Sequence, residues 1–334
     1  MKNFWKSARG WLPGAIISIA LLAAIAYFVD LKKVVQAIRS ASPYHLLAAL
    51  AISFGWLMVR GIVWRTLLKN RAPYRDVFLS LSEGYLMNNF LPLRLGEFGR
   101  AFMLSRKSKL GFVEILPTIV IERIVDLTIS AALLLIGILF VTQAQGAERI
   151  ALLVGGIVLA VLLTLYLLAL NRLQVMQIYQ RLSQHLPRLK RFDSFLDSFF
   201  NGLVILTDGR WFLRFLFWMI VNWSMAICQF YLVVLAFFPQ AQLFWGIFGL
   251  GAAAFGGAVP SLPGAVGTFE GALGGALSLV SKDESTSLAV ALTAHFFNYL
   301  VSGTIGIYAL SREGQTLAGI YRQILNLRTK KDAA

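Results

Sequence analysis

The sequence predicts an all-α polytopic membrane protein with six full spans and two re-entrant helical hairpins related by an inverted repeat. Three observations carry this expectation. The composition is too apolar to cover a soluble globule, Lys and Arg are distributed unevenly among the loops, and a Pro/Gly motif recurs 171 residues later between matching flanks.

Of the 334 residues, 58% are hydrophobic and only 14% charged, with a mean hydropathy of +0.70. Soluble domains carry about 25% charged residues. These values exclude an ordinary soluble enzyme, a disordered chain and a disulfide scaffold. The single cysteine, Cys228, sits in an apolar run and cannot form an internal disulfide. A membrane helix needs about 20 mostly apolar residues. Uninterrupted candidates fall at 12–29, 44–64, 113–141, 149–170, 211–237 and 288–311. Lys2, Lys6 and Arg9 precede the first run, and Ala24-Ile25-Ala26 resembles a signal cleavage site, but an apolar run of 18 residues favours an uncleaved span.

The net charge of +15 is explained by topology. With both termini inside, the loops at 1–11, 60–76, 94–111, 171–214 and 312–334 hold 25 Lys and Arg, and the opposite set (30–43, 142–149, 238–243, 281–287) holds five. This positive-inside asymmetry predicts a multi-pass protein with both termini cytoplasmic, the localisation expected being a bacterial-type inner membrane, and argues against nucleic acid as a partner. The 30–43 loop, with Lys32, Lys33 and Arg39, reads as an amphipathic helix at the outer interface, and the basic 171–214 segment as one on the inner leaflet.

This orientation makes a demand on two apolar stretches broken by Pro and Gly. Residues 77–111 must begin and end inside, and 244–280 must begin and end outside. Within them, Leu91-Pro92-Leu93-Arg94-Leu95-Gly96-Glu97-Phe98 and Leu262-Pro263-Gly264-Ala265-Val266-Gly267-Thr268-Phe269 share the pattern LPxxxGxF at an offset of 171. The flanking runs repeat at the same offset. The expected organisation is one transmembrane domain over 1–334: a first repeat at 44–141, a connecting span and basic linker at 142–210, and a second repeat at 211–312. Inverted repeats with interrupted helices place their binding site near the bilayer midplane. Non-helical backbone at that depth is tolerated only when buried in protein or facing a wet cavity. Pro92, Gly96, Pro260, Pro263, Gly264 and Gly267 are the expected hinges. A half-helix starting after such a break offers free N–H groups to an anion, although close helix packing through small residues is the alternative reading.

Charges accompany the first break. Arg94, Glu97 and Arg100 follow one another at three-residue spacing, preceded by Asn88 and Asn89, and the next span holds Glu122, Arg123 and Asp126. The second copy adds Glu270, and the last span His295 and Asn298. Ionisable groups within a membrane face a cavity or one another. Arg94 and Arg100 suit a phosphate, and equally a structural network with Glu97, Glu122 or Asp126. No metal-spaced His/Cys cluster is present in the sequence, and no metal or cofactor is expected.

The segments Asn88–Arg100, Glu122–Asp126 and Pro260–Glu270, in this order, resemble the flippase-like family called the lysylphosphatidylglycerol synthase transmembrane region. The resemblance implies movement of a polar lipid, a phospholipid or a polyprenyl or glycolipid, between leaflets. It puts Arg94, Glu97, Arg100, Glu122, Arg123, Asp126 and Glu270 in the functional core. The chain ends at Ala334, soon after the last span, so the soluble aminoacyl-transferase domain of the bifunctional members is not expected. The expected activity is therefore that of a flippase working by alternating access, not that of an enzyme. A membrane-embedded lipid glycosyltransferase and an ion-coupled small-molecule transporter are the alternatives, and a separate lipid-modifying enzyme and a homodimer stay open as partners.

Overall fold

A computed structural model describes residues 18–25, 29–91, 94–141, 170–186, 208–259 and 261–315, with scattered positions elsewhere in 16–27 and 156–200. The hinges Pro92 and Pro260, most of the expected span at 149–170 and both chain termini lie outside the described residues. Secondary structure among the described residues is helical. In chain order the helices are α1 (Leu31–Ser40), α2 (Pro43–Leu67), α3 (Tyr74–Phe90), α4 (Gly96–Lys107), α5 (Phe112–Val141), α6 (Arg172–His185), α7 (Gly209–Phe237), α8 (Leu243–Ala258), α9 (Thr268–Ser281) and α10 (Glu284–Arg312). A short 3₁₀ turn, Pro263–Ala265, precedes α9.

Three of these, α2, α7 and α10, are long and apolar enough to cross a membrane. Caps set several of their boundaries. Pro43 occupies the first turn of α2, where its missing N–H has no partner to lose. Asp283 caps α10 by accepting from the Thr286 N–H at 3.0 Å, and Asp208 starts α7. The helix α1 forms where the amphipathic segment is expected: Asp30 caps it, Val34 is buried against Leu288 and Ala289 of α10, and Lys32, Lys33 and Arg39 are exposed.

The two broken stretches form antiparallel helical hairpins, α3–α4 and α8–α9. At about 1.5 Å per residue these four helices are roughly 18–26 Å long, shorter than the ~30 Å hydrocarbon core. The breaks have a local cause. Proline forces the residue before it into extended backbone, and Leu91 (ψ 138°), Val259 (ψ 132°) and Leu262 (ψ 157°) all adopt it. Each hairpin closes on small residues. A Cβ on Gly96 would overlap the Gly84 carbonyl, and one on Gly256 would overlap that of Thr268.

Shifted by 171 residues, α2, α3, α4 and α5 fall on α7, α8, α9 and α10 to within a few residues. The packing follows the same correspondence: α2 packs along α7, α3 on α10, and α8 on α5. Arg94 and Ala265, which the shift equates, both have left-handed backbone, with φ of 52° and 61°.

Candidate functional site

The core between these elements is not uniformly apolar. Arg60 of α2 is only 2% exposed. Its guanidinium donates to Glu122 at 2.5 Å, to Asp126 at 2.9 Å and to the Asn222 side-chain oxygen at 3.3 Å. Glu122 also receives Arg100 at 3.2 Å, and Arg100 donates to Glu97 at 2.9 Å. Glu97 pairs in turn with Arg123, and Arg123 lies 3.7 Å from Asp126. The result is a closed ring, Arg60–Glu122–Arg100–Glu97–Arg123–Asp126, in which three cations alternate with three anions. It joins α2, α4 and α5 and reaches α7 through Asn222. Trp64 stacks against Arg100, 4.8 Å from its ring centre. Each buried charge is stable only because its neighbours carry the opposite sign.

Helix periodicity explains why α5 serves this purpose. Glu122 and Asp126 are four residues apart and share a face, and Arg60 bridges them. The expected spacing also holds for Glu97 and Arg100 on the first turns of α4. It fails for Arg94, which precedes the helix and has left-handed backbone, so it leaves the face its spacing suggests.

Against the ring lies a chamber of about 580 Å³ lined by Asn88, Asn89, Arg94, Arg123, Asp126, His295 and Asn298 among the expected residues. Glu97, Arg100 and Glu122 stand behind its wall and hold Arg123 and Arg60. Arg94 lines this chamber and is itself exposed. Its guanidinium donates to the Gly257 carbonyl at 2.5 Å, at the C-terminal end of α8, and among the described residues it forms no ion pair. The chamber therefore sits beside a neutral ring plus one cation without a carboxylate partner.

Glu270 does not line the chamber but fixes the second hairpin loop. It accepts from the Gly267 N–H at 2.8 Å and meets His295 Nδ1 at 2.6 Å. His295 Nε2 in turn faces the Gly264 carbonyl at 2.8 Å, and its ring lies between Phe269 and Tyr299, with centroids 4.5 and 4.6 Å away. One N–H at each of these helix N-termini is thus taken by the protein itself, Gly267 by Glu270 and Gly96 by the Asn88 side chain at 2.9 Å. Asn89 donates to Ser302 at 2.8 Å and so ties α3 to α10.

Two corrections follow for the loop charges. Arg60 and Arg100 count toward the inside loops in the sequence, yet both are buried ring members. The signal for Arg60 was present: it lies inside the apolar run 44–64, where a charge needs a partner. Asn222 and Gln229, inside the α7 run, carried the same signal.

The sequence profile of the family described as the lysylphosphatidylglycerol synthase TM region matches residues 11–306. The chain belongs to that family. Its relatives include a UPF0104 membrane protein of Methanothermobacter thermautotrophicus, 24% identical over 327 residues, covering 93% of this chain and 96% of that protein. A second protein of that organism is 24% identical over 330 residues, covering 91% and 95%. A UPF0104 membrane protein of Methanocaldococcus jannaschii is 26% identical over 144 residues, covering 41% of this chain and 43% of that protein. As a family member this is a helical, multi-pass membrane protein, and its ring and chamber fall within the matched residues.

Proposed function

We propose that this protein is a flippase that moves a polar, phosphate-bearing lipid between leaflets, with the headgroup in the chamber and the acyl chains left in the bilayer. The observation that carries the reading is Arg94, a chamber-lining cation without an ion pair among the described residues, beside a ring whose own charges cancel. An added anion there would meet a guanidinium that forms no ion pair among the described residues, a planar donor matched to phosphate. A chamber of about 580 Å³ is the size of a small-ligand site.

The conformational part of the proposal is alternating access between two inverted repeats, 44–141 and 211–312. Support comes from the common 171-residue offset of four helices, their reciprocal packing and the shared left-handed backbone at Arg94 and Ala265. The positive-inside count favours both termini in the cytoplasm and hairpins entering from opposite faces. Arg94 reaches from the first hairpin to the second through Gly257. In this proposal a headgroup phosphate competes for that guanidinium, coupling occupancy to the hairpin contact.

The test is lipid movement in proteoliposomes with a fluorescent anionic phospholipid and a leaflet-selective quencher. Arg94→Ala is expected to abolish protein-dependent movement while the purified protein keeps its melting temperature within a few degrees. Movement at the wild-type rate in the variant would refute the site.

A further inference from the structure

A second concavity lies at the base of the first hairpin. It encloses about 380 Å³ between the start of α3, the last turn of α4 and the end of α10. Arg75, Arg106, Lys107 and Arg312 line it, together with Asp76 and Glu313. It shares no lining residue with the chamber. Arg75 and Asn89 stand near opposite ends of α3, which at about 1.5 Å per residue sets them roughly 20 Å apart. All three segments that form the concavity belong to the inside set by their Lys and Arg count.

Each carboxylate here has a local role. Glu313 pairs with Lys107, whose ammonium also donates to the fully buried Glu83 at 3.0 Å. Asp76 stands in the first turn of α3, where the helix dipole favours an anion. The three arginines are exposed, and Arg75 and Arg312 form no ion pair among the described residues. Arg312 donates to the Tyr308 hydroxyl at 2.9 Å, and Arg106 stacks on Phe102, 5.7 Å from its ring centre. Counted with Glu83, four cations face three carboxylates, an excess of one positive charge. Helix dipoles account for Arg106, Lys107 and Arg312, which stand in last turns. They disfavour Arg75, in a first turn. A topogenic charge needs only to lie inside; it has no need to converge with others from three helices on one concavity.

We infer that this concavity binds the phosphate of an anionic phospholipid of the inner leaflet, at a site separate from the chamber. Arg75 and Arg312 hold the phosphate oxygens, which suit planar guanidinium donors. Arg106 adds a third positive charge at the rim. Basic pockets between membrane helices on the cytoplasmic side are known seats of such headgroups. A phosphodiester carries a single negative charge and so cancels the excess. The bound lipid ties the base of the α3–α4 hairpin to the end of α10, whatever Arg94 binds.

The test measures binding of short-chain phosphatidylglycerol to the full chain in detergent by thermophoresis, in the wild type and in Arg94→Ala, which removes the chamber's cation. Diacylglycerol, which lacks the phosphate, and inorganic phosphate, which lacks the lipid, are the comparison ligands. Phosphatidylglycerol is expected to bind Arg94→Ala. Adding Arg75→Gln or Arg312→Gln should weaken that binding about tenfold, the effect of losing one charge-assisted hydrogen bond. Both positions are exposed, so neither variant should disturb folding. Asp76→Asn, which removes a carboxylate from the rim, should tighten binding severalfold. Lys109→Gln, at an exposed cation of the same inside loop as Arg106 but outside the concavity, should leave it unchanged. Equal weakening by Lys109→Gln would reduce the effect to general surface charge and overturn the inference. So would weaker binding in Asp76→Asn, which would mean that the site takes a cation, or equal affinity for diacylglycerol. Displacement of the lipid by inorganic phosphate at equal concentration would assign the site to soluble phosphate and overturn the lipid source. Failure of the flippase reading looks different: lipid movement would continue in Arg94→Ala, with these ratios unaltered.

Discussion

Glu122 is the point at which the charge ring is most exposed to perturbation. It is fully buried and holds two cations, Arg60 at 2.5 Å and Arg100 at 3.2 Å. Replacing it with Met preserves volume but leaves three buried guanidiniums facing two carboxylates. Breaking a buried pair from one side costs about 3–5 kcal/mol. At about 2–4 °C per kcal/mol, the melting temperature should fall by roughly 6–20 °C. Arg100→Met should cost a similar amount, leaving an excess anion. The double variant behaves differently, because Arg60–Asp126–Arg123–Glu97 persists with two cations and two anions. Its loss should be smaller than the sum of the single losses by about 2 kcal/mol, within the range of measured couplings between contacting residues. The assay is thermal unfolding in detergent followed by tryptophan fluorescence. Additive losses, or single losses below about 1 kcal/mol, would refute the view that the ring is held together by internal charge cancellation.

Two further predictions concern the hairpin loops. A Cβ on Gly264 would overlap the Tyr299 hydroxyl at a φ of 71°, and one on Gly96 would overlap the Gly84 carbonyl, so each Gly→Ala should lower the melting temperature. Ala at Gly275, where nothing lies within 4 Å, should be neutral, and an equal loss there would show that the loop geometry is not the cause. His295→Leu leaves Glu270 without its ring partner and Gly264 without its ring contact, at a cost of about 2–4 kcal/mol. Limited proteolysis near 260–267 should accelerate in that variant, and an unchanged digestion rate would argue that His295 does not fix the loop.

Much of this architecture was legible in the chain. Apolar runs located α2, α5, α7 and α10, because a helix that meets lipid on one side and protein on the other is apolar all round. Proline located the hairpin turns, because it constrains the residue before it wherever it occurs, as Leu91 and Leu262 illustrate. The 171-residue offset was readable because both copies use the same turn chemistry. Arg60 was counted as a loop charge for a physical reason: counting Lys and Arg by loop treats each one as topogenic and has no means of recognising a buried partner far away in the sequence.

The sequence by itself determined where helices start, stop and break, since those events depend on residues within a turn of one another. Only the tertiary structure decided the ring, because Glu122 meets Arg60 across 62 positions and Asn222 meets it across 162. Likewise, no local pattern could say that Arg94 would face Gly257 rather than a carboxylate, or that Glu270 would turn back to hold its own loop. Charge compensation in a low-dielectric interior depends on distance in space, and packing among α2, α4, α5 and α7 sets that distance.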